Sequence, residues 1–340
     1  RGVMSSSVPA LSLADYKSTD NEVRMSFIRE LSAAARDVGF FYLENHGLTQ
    51  TEQEDIISLS KSFFALSEKE KQQVKMANSP HFRGYNQTHA EVTAGASDFR
   101  EQFDIMDELP AVNSHLISDE WQKLIGPNQW PKALPRMRST LLTWQDRLTE
   151  VGLTLLSALC EALEQPADAL QPTVENGPYR HTKLIKYPGS KTTDNQGVGA
   201  HKDPGYLTFV LQDEHSGLEV EINNAWHSVS PRKGALVVNI GELLELASDG
   251  YLKATNHRVV SPPAGVTRYS SAFFMAAQLD ADIPVLALPE HLKRLAHGPS
   301  SDPTNPLLRK VGENVLKGRK RSHQDVTEKF YNDIPQQLSA

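Results

Sequence analysis

The 340-residue chain carries 35 lysines and arginines against 42 aspartates and glutamates, a formal net charge of -7, with 39% hydrophobic and 23% charged residues. This is the composition of a globular protein long enough to bury a sizeable core. The acidic balance argues against a general nucleic-acid binder, which needs a basic face, and the single cysteine, Cys160, excludes an intrachain disulfide or a cysteine-rich metal site.

No apolar run approaches the roughly 20 residues of a membrane span. The opening Arg1-Gly2-Val3-Met4-Ser5-Ser6-Ser7 lacks the apolar core of a signal peptide, and Met4 reads as the natural start. The expectation is a soluble cytoplasmic protein with neither membrane nor nucleic-acid partner. The oligomeric state is left open, and a monomer is compatible with the sequence.

In chain order, residues 8 to 13 read as a short strand. Thr19 or Asp20 can cap a helix with Val23, Phe27, Leu31, Ala34 and Val38 on one stripe. Gly39 ends it before the strand Phe40 to Leu43. A second helix begins near Thr49 or Thr51, where Thr51-x-x-Glu54 fits a capping box, and Ser67-x-x-Glu70 starts a further helical turn. Residues 76 to 135 are rich in Pro, Asn, Gly and Ser and read as a long irregular, functional stretch. From about 136 to 164 a long amphipathic helix carries Leu141, Trp144, Leu148, Val151, Leu155, Leu159 and Leu163. Cys160 lies on it as inert core.

After Pro178 the pattern becomes short strands with Gly/Pro punctuation, over 182–187, 206–211, 218–222, 235–239, 257–260 and 269–275, which predicts a barrel or jelly roll. The tail from about 308 reads as helical. The chain is thus divided into an N-terminal helical and loop region packed on the core (1–180), a catalytic jelly-roll core (181–285) and a C-terminal helical segment that is a possible lid (286–340).

The chemistry concentrates in Gly199-Ala200-His201-Lys202-Asp203-Pro204-Gly205. On a strand, His201 and Asp203 share a face by period two, read here as a strand opening after a flexible Gly197-Val198-Gly199 loop. About fifty residues on, His257 opens another strand. Two histidines and a carboxylate with open positions form the facial triad of non-haem iron(II) oxygenases, leaving room for a chelating 2-oxo acid and dioxygen. Arg268 and Ser270 share a face just beyond, and the planar guanidinium suits a carboxylate. Lys202 falls opposite the ligands. His46 reads as a turn or packing residue, and His181 and His227 have weaker claims than His257. His81, His89, His115, His215, His291, His297 and His323 read as solvated.

Together with Asp37 to Gly47, Phe82-Arg83-Gly84-Tyr85, Tyr187-Pro188, Gly217 to Val220, Val238 to Leu244, Asn256 to Val259 and Arg268 to Phe274, these motifs resemble the isopenicillin N synthase-like iron(II)/2-oxoglutarate-dependent dioxygenases along most of the chain. The resemblance implies a distorted double-stranded β-helix (jelly roll) wrapped by helices, with iron on His201, Asp203 and His257. It implies that Arg268 and Ser270 hold the far carboxylate of 2-oxoglutarate, with Tyr187 supporting it. Two departures stand out: Ile185 replaces an asparagine of many plant members, and the loop from His257 to Arg268 is slightly longer. The substrate pocket is nominated as Lys183, Ile185, Arg83 and Phe274.

The expected enzyme uses Fe(II), 2-oxoglutarate and O2 to hydroxylate or desaturate a small organic molecule, releasing succinate and CO2. The alternatives are an oxidase of the same fold that uses no 2-oxoglutarate, as isopenicillin N synthase does, and a non-catalytic metal-binding jelly roll.

Overall fold

A computed structural model describes residues 8–87, 92–93, 96–190, 196–300 and 302–331; the start segment 1 to 7 and His89 lie outside them. Helix starts follow local capping chemistry. Asp20 accepts from the Glu22 amide ahead of α2 (Asn21–Asp37), which follows β1 (Ala10–Ser12) and α1 (Leu13–Tyr16). After β2 (Phe40–Glu44), helix α3 (Gln50–Phe64) is capped by Thr49 with Glu52, not by the expected Thr51 with Glu54. The earlier frame wins because Arg147 holds Glu52 in place to complete the box. Ser67 and Glu70 form the second box, before α4 (Glu68–Gln72).

Among its described residues, the stretch expected to be irregular contains four strands: β3 (Gly84–Asn86), β4 (Val92–Thr93), β5 (Ala96–Ser97) and β6 (Glu101–Ile105). Helix α5 (Met137–Ala162) buries the predicted stripe, with Cys160 inside it. The following strands are β7 (Arg180–Tyr187), β8 (Gln196–His201), β9 (Leu207–Gln212), β10 (Leu218–Ile222), β11 (Ala225–Ser228) and β12 (Leu236–Ile240). Helix α6 (Glu242–Ala247), β13 (His257–Val260) and β14 (Arg268–Met275) lead to α7 (Glu290–Lys293), α8 (Val311–Ser322) and α9 (Gln324–Phe330).

Two sheets face each other as a jelly roll. The larger has the order β1-β2-β12-β9-β14-β7-β6-β3 and the smaller β11-β10-β13-β8. Strands of the first 180 residues complete the larger sheet, β2 beside β12 and β6 beside β7. Period two sorts the side chains of the larger sheet. Leu184, Phe209, Leu211, Phe273 and Met275 face outward into the core shared with Leu31, Phe63, Leu148 and Leu155 of the helices. On the other face, Ile185, Tyr187 and Ala272 meet Val198, Leu218, Val220 and Val259 of the smaller sheet. Burying leucine- and phenylalanine-sized side chains contributes about 1.5–3 kcal/mol each, so the helical layer clamps the sheet from outside and leaves its inner face for the site. Among the described residues no helix is long and apolar enough to cross a membrane.

Candidate active site

Between the sheets lies a cavity of about 820 Å³, lined from the larger sheet by β7, β9 and β14 and from the smaller by β8, β10 and β13. His201, Asp203 and His257 meet on its wall. His201 is the last residue of β8 and pairs in register with His257 at the start of β13. The route to this convergence differs from the expected one. Gly197, Val198 and Gly199 belong to β8 rather than to a loop, and Asp203 lies beyond the strand, in the turn after it. That turn is fixed by backbone: the amides of Gly241, Glu242 and Leu243 donate to the carbonyls of Tyr206, Asp203 and Gly205. The approach is so close that a Cβ on Gly241 would lie 1.9 Å from the Gly205 oxygen, so no larger residue fits there.

Asp203 Oδ1 is 3.3 Å from Nε2 of each histidine. The other ring nitrogens are committed, His201 Nδ1 to the Gly199 carbonyl at 2.7 Å and His257 Nδ1 to that of Thr255 at 3.0 Å. A carbonyl only accepts, so both Nδ1 atoms carry the proton and both Nε2 atoms are left as bases. Asp203 Oδ2 accepts from Thr208 Oγ1 at 2.6 Å and Asn239 Nδ2 at 2.8 Å, which turns Oδ1 toward the imidazoles. Phe40 packs edge-on against His257 at 5.1 Å.

Burial pushes the Asp203 carboxyl up, but the His257 and His201 rings outweigh it and hold it well below its ordinary value. Burial and then His257 lower the His201 imidazole. For His257 burial also lowers, yet Asp203 beside it prevails and raises the ring. The donor set fits a divalent ion: ligands about 2.1 Å from an ion and at right angles are about 3.0 Å apart, close to the spacings here.

Arg268, Ser270, Ala272 and Phe274 alternate along the inner face of β14, and Lys183, Ile185 and Tyr187 along β7; all line the cavity. Arg268 is 1% exposed. Its Nε donates to the His215 carbonyl at 3.0 Å and its Nη2 to Gln212 Oε1 at 2.8 Å, while Nη1 is buried with no hydrogen-bond partner among the described residues. A buried guanidinium with an open donor and no carboxylate among these bonds suits a carboxylate ligand. Tyr187 stacks beneath it, 5.2 Å from ring centre to guanidinium carbon, and receives Arg100 Nη1 at its hydroxyl at 3.4 Å. A Cβ on Gly197 would come within 2.9 Å of the Tyr187 ring, so this glycine makes the room that ring occupies.

Other expectations need correction. Arg83 does not line the cavity. It is fully buried and donates to the carbonyls of His81, Leu124, Asp107 and Gly126, a loop-holding role. Lys202, expected opposite the ligands, lines the same cavity, where its charge acts on Glu242. Burial pushes that Glu242 carboxyl up to about 7. His323, expected in solvent, is fully buried, and His81 is half-buried against the Lys123 carbonyl at 2.6 Å. His215 is half-buried; His115, His291 and His297 are exposed as expected. His46 packs in its turn, bonded to the Gly234 carbonyl and the Leu48 amide, and His227 is buried in β11.

Residues the sequence did not flag include Thr208, Asn239, Arg100 and Arg319. Asn239 carried a signal, since a polar residue interrupts the apolar run Leu236-Val237-Val238-Asn239-Ile240. Arg319 carried none, being one charge among many in the tail.

Residues 8–133 match the family described as non-haem dioxygenase in morphine synthesis N-terminal, and residues 179–277 match the 2OG-Fe(II) oxygenase superfamily. The chain is 32% identical over 344 residues to the 2-oxoglutarate-dependent dioxygenase frbJ of Dothideomycetidae sp. (strain 11243), covering 95% of this chain and 92% of that one. It is 30% identical over 266 residues to homoarginine-6-hydroxylase 2-ODD-C23.1 of Arabidopsis thaliana, covering 76% and 79%. Among solved structures, a 2OG-Fe(II) oxygenase family protein from Caulobacter crescentus is similar with a TM-score of 0.74 at 27% identity, covering 92% and 98%. The level of identity, its extent along the chain and the jelly roll agree, and the chain belongs to the iron(II)- and 2-oxoglutarate-dependent dioxygenases, enzymes that use Fe(II), 2-oxoglutarate and O2.

Proposed function

We propose that His201, Asp203 and His257 hold the iron and that Arg268, Ser270 and Tyr187 hold the far carboxylate of 2-oxoglutarate, for oxidation of a small organic molecule at a C–H bond. The observation that carries this is the convergence of Asp203 Oδ1 and two histidine Nε2 atoms whose other ring nitrogens are fixed by carbonyls. Held by these three residues, the metal would supply the activation of dioxygen for that oxidation, 2-oxoglutarate being the co-reductant that would leave as succinate and CO2.

The chain's own contributions are positional. The Gly199 and Thr255 carbonyls keep both histidines in the ligating tautomer, and Thr208 and Asn239 orient the carboxylate. Arg268 supplies a fixed, charged fork at the end of the cosubstrate. Val198, Val210, Leu218, Val259 and Ala272 line the cavity with apolar surface that limits water near the oxidised carbon. Hydroxylation is favoured over desaturation by the hydroxylase activity in the name of the Arabidopsis relative. A cytoplasmic location belongs to the same reading and is supported by the lone, buried cysteine.

The test is an anaerobic visible spectrum of the iron(II)-loaded protein titrated with 2-oxoglutarate. The expected result is a metal-to-ligand charge-transfer band whose half-saturation rises about a hundredfold in Arg268→Ala, from two charge-assisted hydrogen bonds at about 1.5 kcal/mol each. Tightly bound iron with no band would point to an oxidase that dispenses with 2-oxoglutarate. Failure to bind iron would refute the triad.

A further inference from the structure

The proposed cosubstrate anchor, Arg268, is itself held in place by neighbours of a particular kind. Strand β9 sends Thr208, Val210 and Gln212 to the inner face of the larger sheet by period two. Thr208 bonds Asp203, Val210 lines the cavity, and Gln212 stands opposite Ser270 of β14, within reach of Arg268. One strand face thus serves both the metal end and the anchor end of the site.

The side-chain amide of Gln212 works in two directions. Its Oε1 accepts from Arg268 Nη2 at 2.8 Å, and its Nε2 donates to the Val229 carbonyl at 3.2 Å. A carbonyl only accepts, so the second bond fixes which end of the amide faces the guanidinium. Glutamate has the same shape but no donor for Val229, and methionine has the same length but neither strong group.

Among the described residues no carboxylate shares in holding Arg268. Its Nε donates to the His215 carbonyl at 3.0 Å, so this bond and the one to Gln212 both end on neutral oxygens. Asp213 follows Gln212 in the chain, yet its two oxygens accept the amides of His215 at 2.9 Å and Tyr269 at 2.7 Å. Gly217 clears the arginine stem, since a Cβ there would come 3.1 Å from Arg268 Cδ. Burial lowers the guanidinium from its ordinary value more than Tyr187 and Asp213 raise it. A buried charge among neutral acceptors is fixed in direction and left short of compensation until an anion meets it.

We propose that Gln212 is a positioning residue for the cosubstrate, and that its neutrality keeps the charge of Arg268 for a 2-oxo acid bearing a second carboxylate. The inference rests on the assignment of Arg268 as the anchor in the proposed function, and its test separates the two. Gln212→Glu keeps the shape and the acceptor but puts a carboxylate where the amide stood, so Arg268 is paired within the protein. Gln212→Met keeps the length and removes the acceptor, so Arg268 stays charged but is free to turn. The two substitutions separate charge from placement.

Iron(II)-loaded wild type and variants are titrated anaerobically with 2-oxoglutarate and with 2-oxopentanoate, which has the same chelating end and chain length but no far carboxylate. The charge-transfer band gives a half-saturation for each acid without turnover. Wild type should prefer 2-oxoglutarate. That preference should fall at least about thirtyfold in Gln212→Glu, where like charges are brought together. In Gln212→Met it should fall about tenfold, as the loss of one hydrogen bond to a charged group implies. The half-saturation for 2-oxopentanoate should hold in both, which a general loosening of the fold would not allow. Variants that keep the wild-type preference, or that weaken both acids alike, would overturn the role of Gln212, and either variant alone decides this if the other fails to fold. A wild type without the preference, and unchanged by Arg268→Ala, would instead remove Arg268 as the anchor and this inference with it. If neither acid gives a band, calorimetric titration of the same pair decides by the same ratios.

Discussion

Replacing Asn239 with leucine removes one of the two hydrogen bonds that fix Asp203 Oδ2 and leaves all three proposed iron ligands in place. A hydrogen bond to a buried carboxylate contributes about 1.5–3 kcal/mol. Against this, Asn239 Oδ1 is itself buried without a partner among the described residues, and eliminating such an orphan returns about 1–3 kcal/mol. In the metal-free protein the two nearly cancel, so stability to urea should change by less than about 1 kcal/mol. Metal affinity has no such compensation, because Oδ1 keeps its direction only while Oδ2 is held from both sides. Loss of an outer partner of this kind weakens metal binding about 10–100-fold, or about 1.4–2.7 kcal/mol. Titration with Mn(II), following the free ion by electron paramagnetic resonance, measures the constant, and urea unfolding measures the fold. An unchanged Mn(II) affinity in a stably folded Asn239→Leu protein would refute the orienting role of Asn239.

Gly197→Ala should displace the Tyr187 ring, at a cost within the about 1–3 kcal/mol typical of overpacking, and raise the half-saturation for 2-oxoglutarate about tenfold in the band titration while iron still binds. Thr49→Ala removes the cap of α3 and should cost about 1 kcal/mol in urea unfolding, whereas Thr51→Ala, at the rejected cap position, should be nearly neutral. Burial lowers both His181 and His323 from 6.5 to about 3, so they stay neutral in the fold but take protons in the unfolded chain. The unfolded state then binds more protons, and stability present above pH 6.5 is lost as the pH falls toward 3. His323→Gln should flatten that loss by up to about 1.4 kcal/mol per pH unit, read from urea midpoints between pH 7 and 4.5.

Much of this arrangement was legible because it follows periodicity. The stripe of α5 and the alternation along β7 and β14 state directly which face is core and which is cavity, and they bring Arg268, Ser270, Tyr187 and Phe274 to one wall. What escaped was set by distant partners. The glycines of β8 hide a strand that exists because β13 pairs with it. His201 and Asp203 converge through a turn locked by Gly241, not through strand alternation. β6 lies in a polar stretch and is a strand because β7 and β3 flank it. The charge of Asp104 is intelligible only with Lys183 and with Arg319, which comes from far along the chain.

Arg83 has a consequence for how this protein can vary. Between Ile105 and Met137 there is no α-helix or β-strand, and the guanidinium gathers the carbonyls of Asp107, Leu124 and Gly126 from that stretch at one point. It acts as a non-covalent staple that pinches one long excursion into an anchored base and an outer loop, whose residues 120 to 123 are tied to α8 and Phe330 while 109 to 119 are mostly exposed. Since closure cost grows only with the logarithm of loop length, about 0.6 kcal/mol per doubling, lengthening the outer loop costs little. Around Leu109 and Leu116, both exposed, the chain can therefore take on new length and sequence without loosening the base of the excursion.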